Sequence, residues 1–252
     1  MIIWQDPDIN LQLTEDRVHI WRANLDLPSA QIDRLASFLS PDEITRANRF
    51  RFPQHRTSFI ASRGILRQLL GNYLNLHPQD IEFDYSDRGK PLLAKSNIDI
   101  SLQFNLSHSR EYALFGFAID RLIGVDLEYL REMRDAVKIA RRFFSSKEYS
   151  LIASLDLPQQ QQTFFKLWTA KEAYLKAIGI GLAGSLADVE ITLDSSKNAS
   201  ILISKTQNWS MYPCIPASDY VGAIAISKSI PLQQIDFWSW HQNLLNSFRN
   251  FS

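Results

Sequence analysis

The chain has 252 residues, of which 45% are hydrophobic, so it can bury the core of one large domain or of two smaller ones. It carries 27 basic and 27 acidic side chains, and a net charge of zero gives no global field that would favour nucleic acid. The single cysteine, Cys214, excludes an internal disulfide framework and is typical of a reducing compartment. The early acids of the first segment argue against a signal peptide, and no stretch approaches the roughly 18 uncharged apolar residues of a membrane span. We therefore expect a cytoplasmic protein with no membrane partner.

Predicted strands and helices alternate irregularly along the chain. Residues 18–25 have the composition of a strand. Ser-Pro-Asp-Glu at 40–43 is typical of a helix start with Pro41 at the first helical position. Residues 55–74 have apolar side chains at helical spacing, and residues 112–119 and 220–227 are predicted buried strands.

A weak internal repeat divides the chain. The segment Ser40–Glu43 precedes Pro53 by the distance that separates Ser145–Glu148 from Pro158, and a long predicted helix follows each proline, 55–74 and 160–178. An acid–Tyr pair later opens a predicted strand in each half, at 111–112 and 219–220. The offset is 105 residues at the helices and 108 at the strands.

This repeat predicts an α+β fold of two similar α/β halves related by pseudo-twofold symmetry. The halves are predicted to be residues 1–119 and 120–252, meeting near Ala118–Leu122. A ligand would then lie in the cleft between them. The sequence has no Gly-rich phosphate loop, no metal-binding Cys/His spacing and no nucleophile elbow, which excludes the common nucleotide folds and zinc hydrolases.

Residues 123–128, IGVDLE, alternate in the manner of a strand. Gly124, Asp126 and Glu128 face one side of it. Two neighbouring carboxylates repel each other unless a cation lies between them, and Mg²⁺ takes one or two carboxylates together with substrate phosphates. An exposed strand with ordinary acids is the alternative.

Residues 104–109, FNLSHS, end in small hydroxyls around His108. Ser107 and Ser109 are typical of a tight turn that offers hydrogen-bond donors to an anion. A single histidine beside a strand is otherwise structural or simply exposed.

Residues 167–182, LWTAKEAYLKAIGIGL, place charges within an apolar helix. An i, i+4 pair of Glu172 and Lys176 on a solvated face is the simpler interpretation. Alternatively, Glu172 completes a three-acid metal site and Lys176 neutralises a departing phosphate, with Lys171, Glu172 and Lys176 on a helix that both packs in the core and lines a metal–phosphate cleft.

Together these stretches resemble the Sfp-type 4′-phosphopantetheinyl transferases, which move phosphopantetheine from coenzyme A to a serine of a carrier protein. The matching segments are DRGKPLL (87–93), FNLSHS (104–109), IGVDLE (123–128), RRFFSSKEY (141–149) and FFKLWTAKEAYLKAIGIGL (164–182). The order and separation of G-V-D-L-E and W-x-x-K-E-x-x-x-K make the resemblance specific.

The resemblance implies a Mg²⁺ site and a set of phosphate contacts. It implies that Asp126, Glu128 and Glu172 hold Mg²⁺ against the coenzyme A pyrophosphate. It further implies contacts to coenzyme A from Arg46, Arg56, Thr57, Lys90, Ser107, His108 and Lys176. Arg46 stands where the 3′-phosphate is reached and Lys90 lies near the nucleotide. Glu43 stands where a second basic residue often precedes Arg46, so Arg49 or Arg56 would have to compensate.

The implied reaction converts an apo carrier to the holo form and releases 3′,5′-ADP. We expect Glu172 to be the base for the carrier serine, directly or through a metal-bound water, and Lys176 to stabilise the leaving phosphate. Two rival functions are a non-catalytic coenzyme A or acyl-CoA binding module, and a Mg²⁺-dependent phosphotransferase acting on a small alcohol.

Basic residues follow the carboxylate strand, in the segment 129–144. Carrier proteins present an acidic helix around their serine, so we expect an acyl or peptidyl carrier to dock near Arg131, Arg134, Lys138 and Arg141. A solvated helix face is the alternative. Since one chain holds both halves, we expect a monomer.

Overall fold

The computed structural model of the chain describes residues 2–7, 11–87, 89–94, 101–180, 186–191 and 209–244. The helices in these residues are α1 (Ser29–Ala36), α2 (Pro41–Asn48), α3 (Pro53–Leu74), α4 (Ala136–Phe143), α5 (Ser146–Ala153) and α6 (Leu157–Ala177). The strands are β1 (Val18–Asn24), β2 (Phe83–Tyr85), β3 (Pro91–Leu93), β4 (Leu102–Ser109), β5 (Tyr112–Ile119), β6 (Ile123–Tyr129), β7 (Trp209–Cys214), β8 (Tyr220–Ser227) and β9 (Ile235–Ser239). The predicted α+β class is confirmed, and the long helices begin two or three residues earlier than predicted.

The described strands form a four-stranded sheet, a three-stranded sheet and a small hairpin. Their orders are β4-β5-β1-β9, β6-β8-β7 and β2-β3. β9 runs parallel to β1, and the other pairings are antiparallel. β9, which follows the second half in sequence, therefore pairs with the sheet of the first half.

The order and pairing of the elements repeat along the chain. β4-β5-β1 in the first half corresponds to β7-β8-β6 in the second, and each long helix follows a short helix. Val18 pairs with Ala118 in the first sheet, and Ile123 pairs with Ile226 in the second. These partners differ by 105 and 108 positions, the two offsets read from the sequence. The pseudo-twofold relation between the halves and the boundary at 119–120 stay predictions.

Each short helix that precedes a long one begins with a buried capping box. Ser40 and Glu43 cap α2, and Ser145 and Glu148 cap α5. Each glutamate then pairs with cations of the next long helix, because a carboxylate without water needs an opposite charge. Glu43 pairs with Arg63 and Arg67 on α3, and Glu148 pairs with Lys171 on α6.

The long helices α3 and α6 are the apolar centres of the fold. Three buried hydrophobic clusters are described, one around α3, one around α6 and one between the sheets. Within the described residues, no helix combines the length and the apolar composition needed to cross a membrane.

Candidate active site at the seam between the sheets

Strand β6 lies between helix α6 and the edge strand β4. A Cβ at Gly124 would lie 1.9 Å from the carbonyl oxygen of Ala173, so only glycine permits this approach of β6 to α6. On the other side, side chains of β4 bond to the backbone of β6: Asn105 Oδ1 accepts from Val125 N at 2.9 Å. These contacts bring the polar residues of β4, β6 and α6 to one seam between the two sheets.

A lysine, a carboxylate and a hydroxyl form the centre of the seam. Lys176 Nζ lies 2.6 Å from Asp126 Oδ1 and donates to Ser107 Oγ at 2.8 Å. Ser107 in turn donates to Asp126 Oδ1 at 3.0 Å. Lys176 therefore pairs with Asp126 of β6, whereas the simpler interpretation paired it with Glu172 on its own helix.

Two further carboxylates face this centre. Burial, followed by the negative charge of Asp126, raises the pKa of Glu172 to about 7. The same two causes raise the pKa of Glu128, and a hydrogen bond from Ser109 opposes them. Asp126 Oδ2 and Glu172 Oε1 are buried and have no hydrogen-bond partner. Buried acceptors of this kind are costly unless a ligand satisfies them.

A divalent cation fits the donor set, although the acids are not gathered around one point. Among the side chains that the structure describes, no three His, Cys, Asp or Glu groups lie close enough together to hold a metal ion. The unpaired oxygens of Asp126 and Glu172 are nevertheless hard carboxylate ligands of the kind Mg²⁺ prefers.

Residues 107–109 lie in strand β4, so the prediction of a tight turn at this position is wrong. Strand alternation directs Ser107 and Ser109 towards β6 and leaves His108 exposed on the other face. Desolvation by surrounding protein lowers the pKa of His108, and the nearby charges of Lys176 and His55 lower it further. A neutral imidazole beside the seam can donate to a phosphate oxygen through one ring nitrogen.

Lys90, the predicted nucleotide contact, caps helix α6. Its ammonium donates to the carbonyl oxygens of Lys176 at 2.8 Å and Ala177 at 3.3 Å. The C-terminus of a helix carries partial negative charge, so this contact is favourable. Lys90 therefore lies beside Lys176, and its role toward the nucleotide stays a prediction.

The predicted contacts on α2 and α3 lie farther from the carboxylates. Arg46 stacks over Phe59 with its guanidinium 5.4 Å from the ring centre. Arg56 donates to Asn48 Oδ1 at 3.2 Å, and Thr57 is half-buried one residue further along α3. These three residues stay predictions for coenzyme A binding.

The concern about Glu43 has a structural answer. Its carboxylate is 1% exposed and bonds to Arg67 Nε at 2.6 Å. Glu43 also lies 3.2 Å from Arg63 Nε, so it points into the core of the first half. A basic residue there would face two arginines, and Glu43 does not take a phosphate-binding position.

Lys171 lies on the core side of the helix that was predicted both to pack in the core and to line a cleft. Its ammonium is fully buried 2.8 Å from Glu148 Oε2, and it also donates to the carbonyl oxygens of Leu186 and Val189. Successive helix residues differ by about 100° around the axis, so neighbours such as 171 and 172 face different sides. Lys171 belongs to the core of the second half.

The predicted docking residues are exposed on and before α4. Arg134 Nε lies 2.9 Å from Glu132, and Lys138 Nζ lies 2.8 Å from Asp135, both at exposed sites. One of the predicted docking residues, Arg131, lines a cleft of about 430 Å³, whose other lining residues are Leu130, Glu132, Pro158, Gln159, Gln161, Gln162 and Phe165. Arg131 thus stands at an open cleft, and carrier docking on this surface stays a prediction.

Two residues of the seam lie outside the predicted metal and coenzyme A sites: Asn105 has no predicted role, and Ser109 is predicted only as a hydrogen-bond donor to an anion from a tight turn. Asn105 and Ser109 bracket Ser107 at alternate positions of β4, and each accepts a backbone N–H of β6. The alternation of polar residues in FNLSHS could have identified them, since all three must share one face of a strand.

Two family models match most of the chain. One, described as the 4′-phosphopantetheinyl transferase superfamily, matches residues 122–225, and one described as 4′-phosphopantetheinyl transferase, N-terminal, matches residues 26–117. The chain is 46% identical over 224 residues to the 4′-phosphopantetheinyl transferase HetI of Nostoc sp., with 89% of this chain and 93% of that protein covered. It is 29% identical over 184 residues to the 4′-phosphopantetheinyl transferase Sfp of Bacillus subtilis, with 72% and 80% covered.

A crystal structure of a holo-(acyl-carrier-protein) synthase from Bacillus anthracis in complex with CoA (3′,5′-ADP) also matches. It is 22% identical, covers 42% of this chain and 95% of its own, and has a TM-score of 0.38. On the family models and the HetI match, the chain belongs to the 4′-phosphopantetheinyl transferase family, and the resemblance seen in its motifs is confirmed.

Proposed function

We propose that this enzyme transfers the 4′-phosphopantetheine group of coenzyme A to a serine hydroxyl of an acyl or peptidyl carrier protein, releasing 3′,5′-ADP. The observation that carries the proposal is the convergence of Asp126, Glu172, Lys176 and Ser107 at one seam in a member of this family. Carboxylates and a lysine with a hydroxyl between them suit a metal-assisted attack at a phosphate.

Asp126, Glu128 and Glu172 would hold Mg²⁺. The unpaired oxygens of Asp126 and Glu172 support this assignment, because a cation would satisfy both and would offset the repulsion that raises the pKa of Glu172. When bound, the ion supplies charge stabilisation to the pyrophosphate of coenzyme A.

Glu172 would accept the proton of the carrier serine, directly or through a water. Its pKa of about 7 suits a group that gains and loses a proton near neutral pH. A bound cation lowers that pKa and weakens Glu172 as a base, which is why the route through water remains the alternative.

Lys176 would stabilise the charge that develops on the leaving 3′,5′-ADP. Its ammonium is 28% exposed and already faces Ser107, so a phosphate oxygen could share it with Asp126. Ser107, His108 and Lys90 would add donors along the phosphates, and Arg46, Arg56 and Thr57 would contact the 3′-phosphate end.

The acceptor would dock by charge complementarity near Arg131, Arg134, Lys138 and Arg141. The exposed cations on and before α4, and the open cleft that Arg131 lines, support this surface. We further propose that the protein acts as a monomer in the cytoplasm.

The test is to incubate the purified protein with coenzyme A, Mg²⁺ and a panel of apo carrier proteins, and to weigh each carrier by intact mass spectrometry. A gain of one phosphopantetheine, abolished by EDTA or by changing the carrier serine to alanine, is the expected result. Glu172→Ala should abolish the gain. Lys176→Ala should slow it and raise the KM for coenzyme A.

No gain on any carrier, with coenzyme A still bound, would overturn the proposal in favour of a binding module. A gain on a small alcohol in place of a carrier would instead indicate a small-molecule phosphotransferase.

A further inference from the structure

Two side chains join strands that belong to different sheets. Asn105 Oδ1 accepts from Val125 N at 2.9 Å, and Ser109 Oγ accepts from Tyr129 N at 3.1 Å. Asn105 is 6% exposed, so its contact with β6 is protected from water. The edge of β4 therefore holds β6 by side chains at two separate points.

These two points enclose the carboxylate positions of β6. Val125 directly precedes Asp126, and Tyr129 directly follows Glu128. Because both ends of this short segment are fixed to β4, the segment cannot shift or rotate relative to Ser107 without breaking a hydrogen bond.

Ser109 also contacts a carboxylate. Its hydroxyl has one proton, and its oxygen already accepts the N–H of Tyr129, so the proton is free to bond to Glu128 Oε2 at 3.3 Å. The backbone of β6 thus fixes the hydroxyl, and the hydroxyl in turn orients the Glu128 carboxylate.

We propose that Asn105 and Ser109 are positioning residues that hold Asp126 and Glu128 in the arrangement that binds the cation. This inference rests on the proposed function, since it assigns the two residues to the support of the same metal ligands. Partners that orient metal ligands commonly change metal affinity by about 10- to 100-fold when removed.

The test compares Ser109→Ala, Ser109→Thr and a matched control. Ser210 on β7 is the control, because its hydroxyl also accepts a backbone N–H, that of Ile230 at 3.2 Å, in a different part of the fold. Titration calorimetry would measure the Kd of Mg²⁺ for enzyme saturated with coenzyme A, and the Kd of coenzyme A in EDTA. Turnover would be measured in parallel.

Ser109→Ala is expected to raise the Kd of Mg²⁺ about tenfold or more and to leave the Kd of coenzyme A in EDTA unchanged. Ser109→Thr keeps the hydroxyl and should restore Mg²⁺ affinity close to that of the wild type. Ser210→Ala should bind Mg²⁺ like the wild type. Asn105→Ala should weaken Mg²⁺ binding in the same direction, and if it does not fold the Ser109 variants decide alone.

The inference is overturned if Ser109→Ala binds Mg²⁺ like the wild type. It is also overturned if Ser109→Thr loses as much affinity as Ser109→Ala, or if Ser210→Ala loses as much as either. Wild-type enzyme that binds coenzyme A but takes up no Mg²⁺ would instead reject the proposed metal-dependent function, so the two failures are distinguishable.

Discussion

The buried pair of Lys171 and Glu148 provides a test of how the second half is held together. The Lys171 ammonium contacts one carboxylate and two backbone carbonyls, those of Leu186 and Val189. The Glu148 carboxylate also accepts the N–H of Ile191 at 2.8 Å. The pair therefore joins α5, α6 and the segment 186–191.

Lys171→Met removes the cation while keeping a flexible side chain of similar length. Glu148 would then be a buried charge without an ionic partner, which costs about 3–5 kcal/mol in proteins. The total stability of a domain is only about 5–15 kcal/mol, so this is a large fraction of it. At roughly 2–4 °C per kcal/mol for a chain of this size, we expect Tm to fall by about 6–20 °C.

Thermal unfolding followed by circular dichroism would measure the loss, with Lys147→Met as the control. Lys147 forms an ion pair with Glu190 at the same distance of 2.8 Å, but its side chain is 82% exposed, so its removal should leave Tm nearly unchanged. The double variant Glu148→Gln with Lys171→Met should recover roughly half of the loss, because no buried charge remains.

The turnover of Lys171→Met distinguishes a role of Lys171 in core packing from a role in catalysis. At temperatures where Lys171→Met is folded, its activity should stay close to that of the wild type, because Lys171 lies outside the seam. A variant as stable as the wild type but inactive would refute the structural role and would indicate that Lys171 acts in the cleft.

Three further predictions follow from the seam and the α4 surface. Gly124→Ala should lower both Tm and turnover, because its Cβ would lie 1.9 Å from the Ala173 carbonyl; retention of both in activity and melting assays would contradict the close approach. In EDTA the protonated Glu172 carboxyl should contribute stability that is lost as pH rises from about 4.5 to 7, because folded Glu172 binds a proton that the unfolded chain releases. Buried His19, whose pKa is lowered to about 4, changes stability in the opposite direction over this range, so the comparison with Glu172→Gln isolates the Glu172 contribution. Glu172→Gln cannot lose this contribution, so urea unfolding at pH 8 should show it to be up to about 3 kcal/mol more stable than the wild type. If the difference in free energy of unfolding between the two proteins does not vary with pH, titration of Glu172 is not its cause. Arg134→Glu with Lys138→Glu should raise the KM for the carrier and leave that for coenzyme A unchanged in steady-state assays; an unchanged carrier KM would assign these side chains to a solvated face.

Features that depend on local alternation could be predicted from the sequence. The period of a strand determines which residues share a face, and Asp126 and Glu128 do lie on the side of β6 that faces α6. The repeat offsets were predictable for a related reason, since the paired strands β1 and β5 have the same lengths, 7 and 8 residues, as their counterparts β6 and β8. Val18 with Ala118, and Ile123 with Ile226, differ by those offsets.

Features that depend on distant partners could not be predicted in this way. Glu43 looked like a missing cation because the family that the sequence resembles often has a basic residue at this position, whereas its partner Arg67 is 24 residues away on another helix. The sequence predicted a helix that both packs in the core and lines a cleft, but it did not say which partner Lys171 would have in the core. Only the packing of α5 against α6 reveals that its charge is directed to Glu148.

The repeated architecture has a consequence for stoichiometry. At an offset of 105 residues, Asp126, Glu128 and Glu172 of the second half correspond to Trp21, Ala23 and Arg67 of the first. The first half thus offers an indole, a methyl group and a guanidinium where the second offers three acids, so it cannot form an equivalent metal centre. Although the chain contains the arrangement of strands and helices twice, it should bind one coenzyme A and not two.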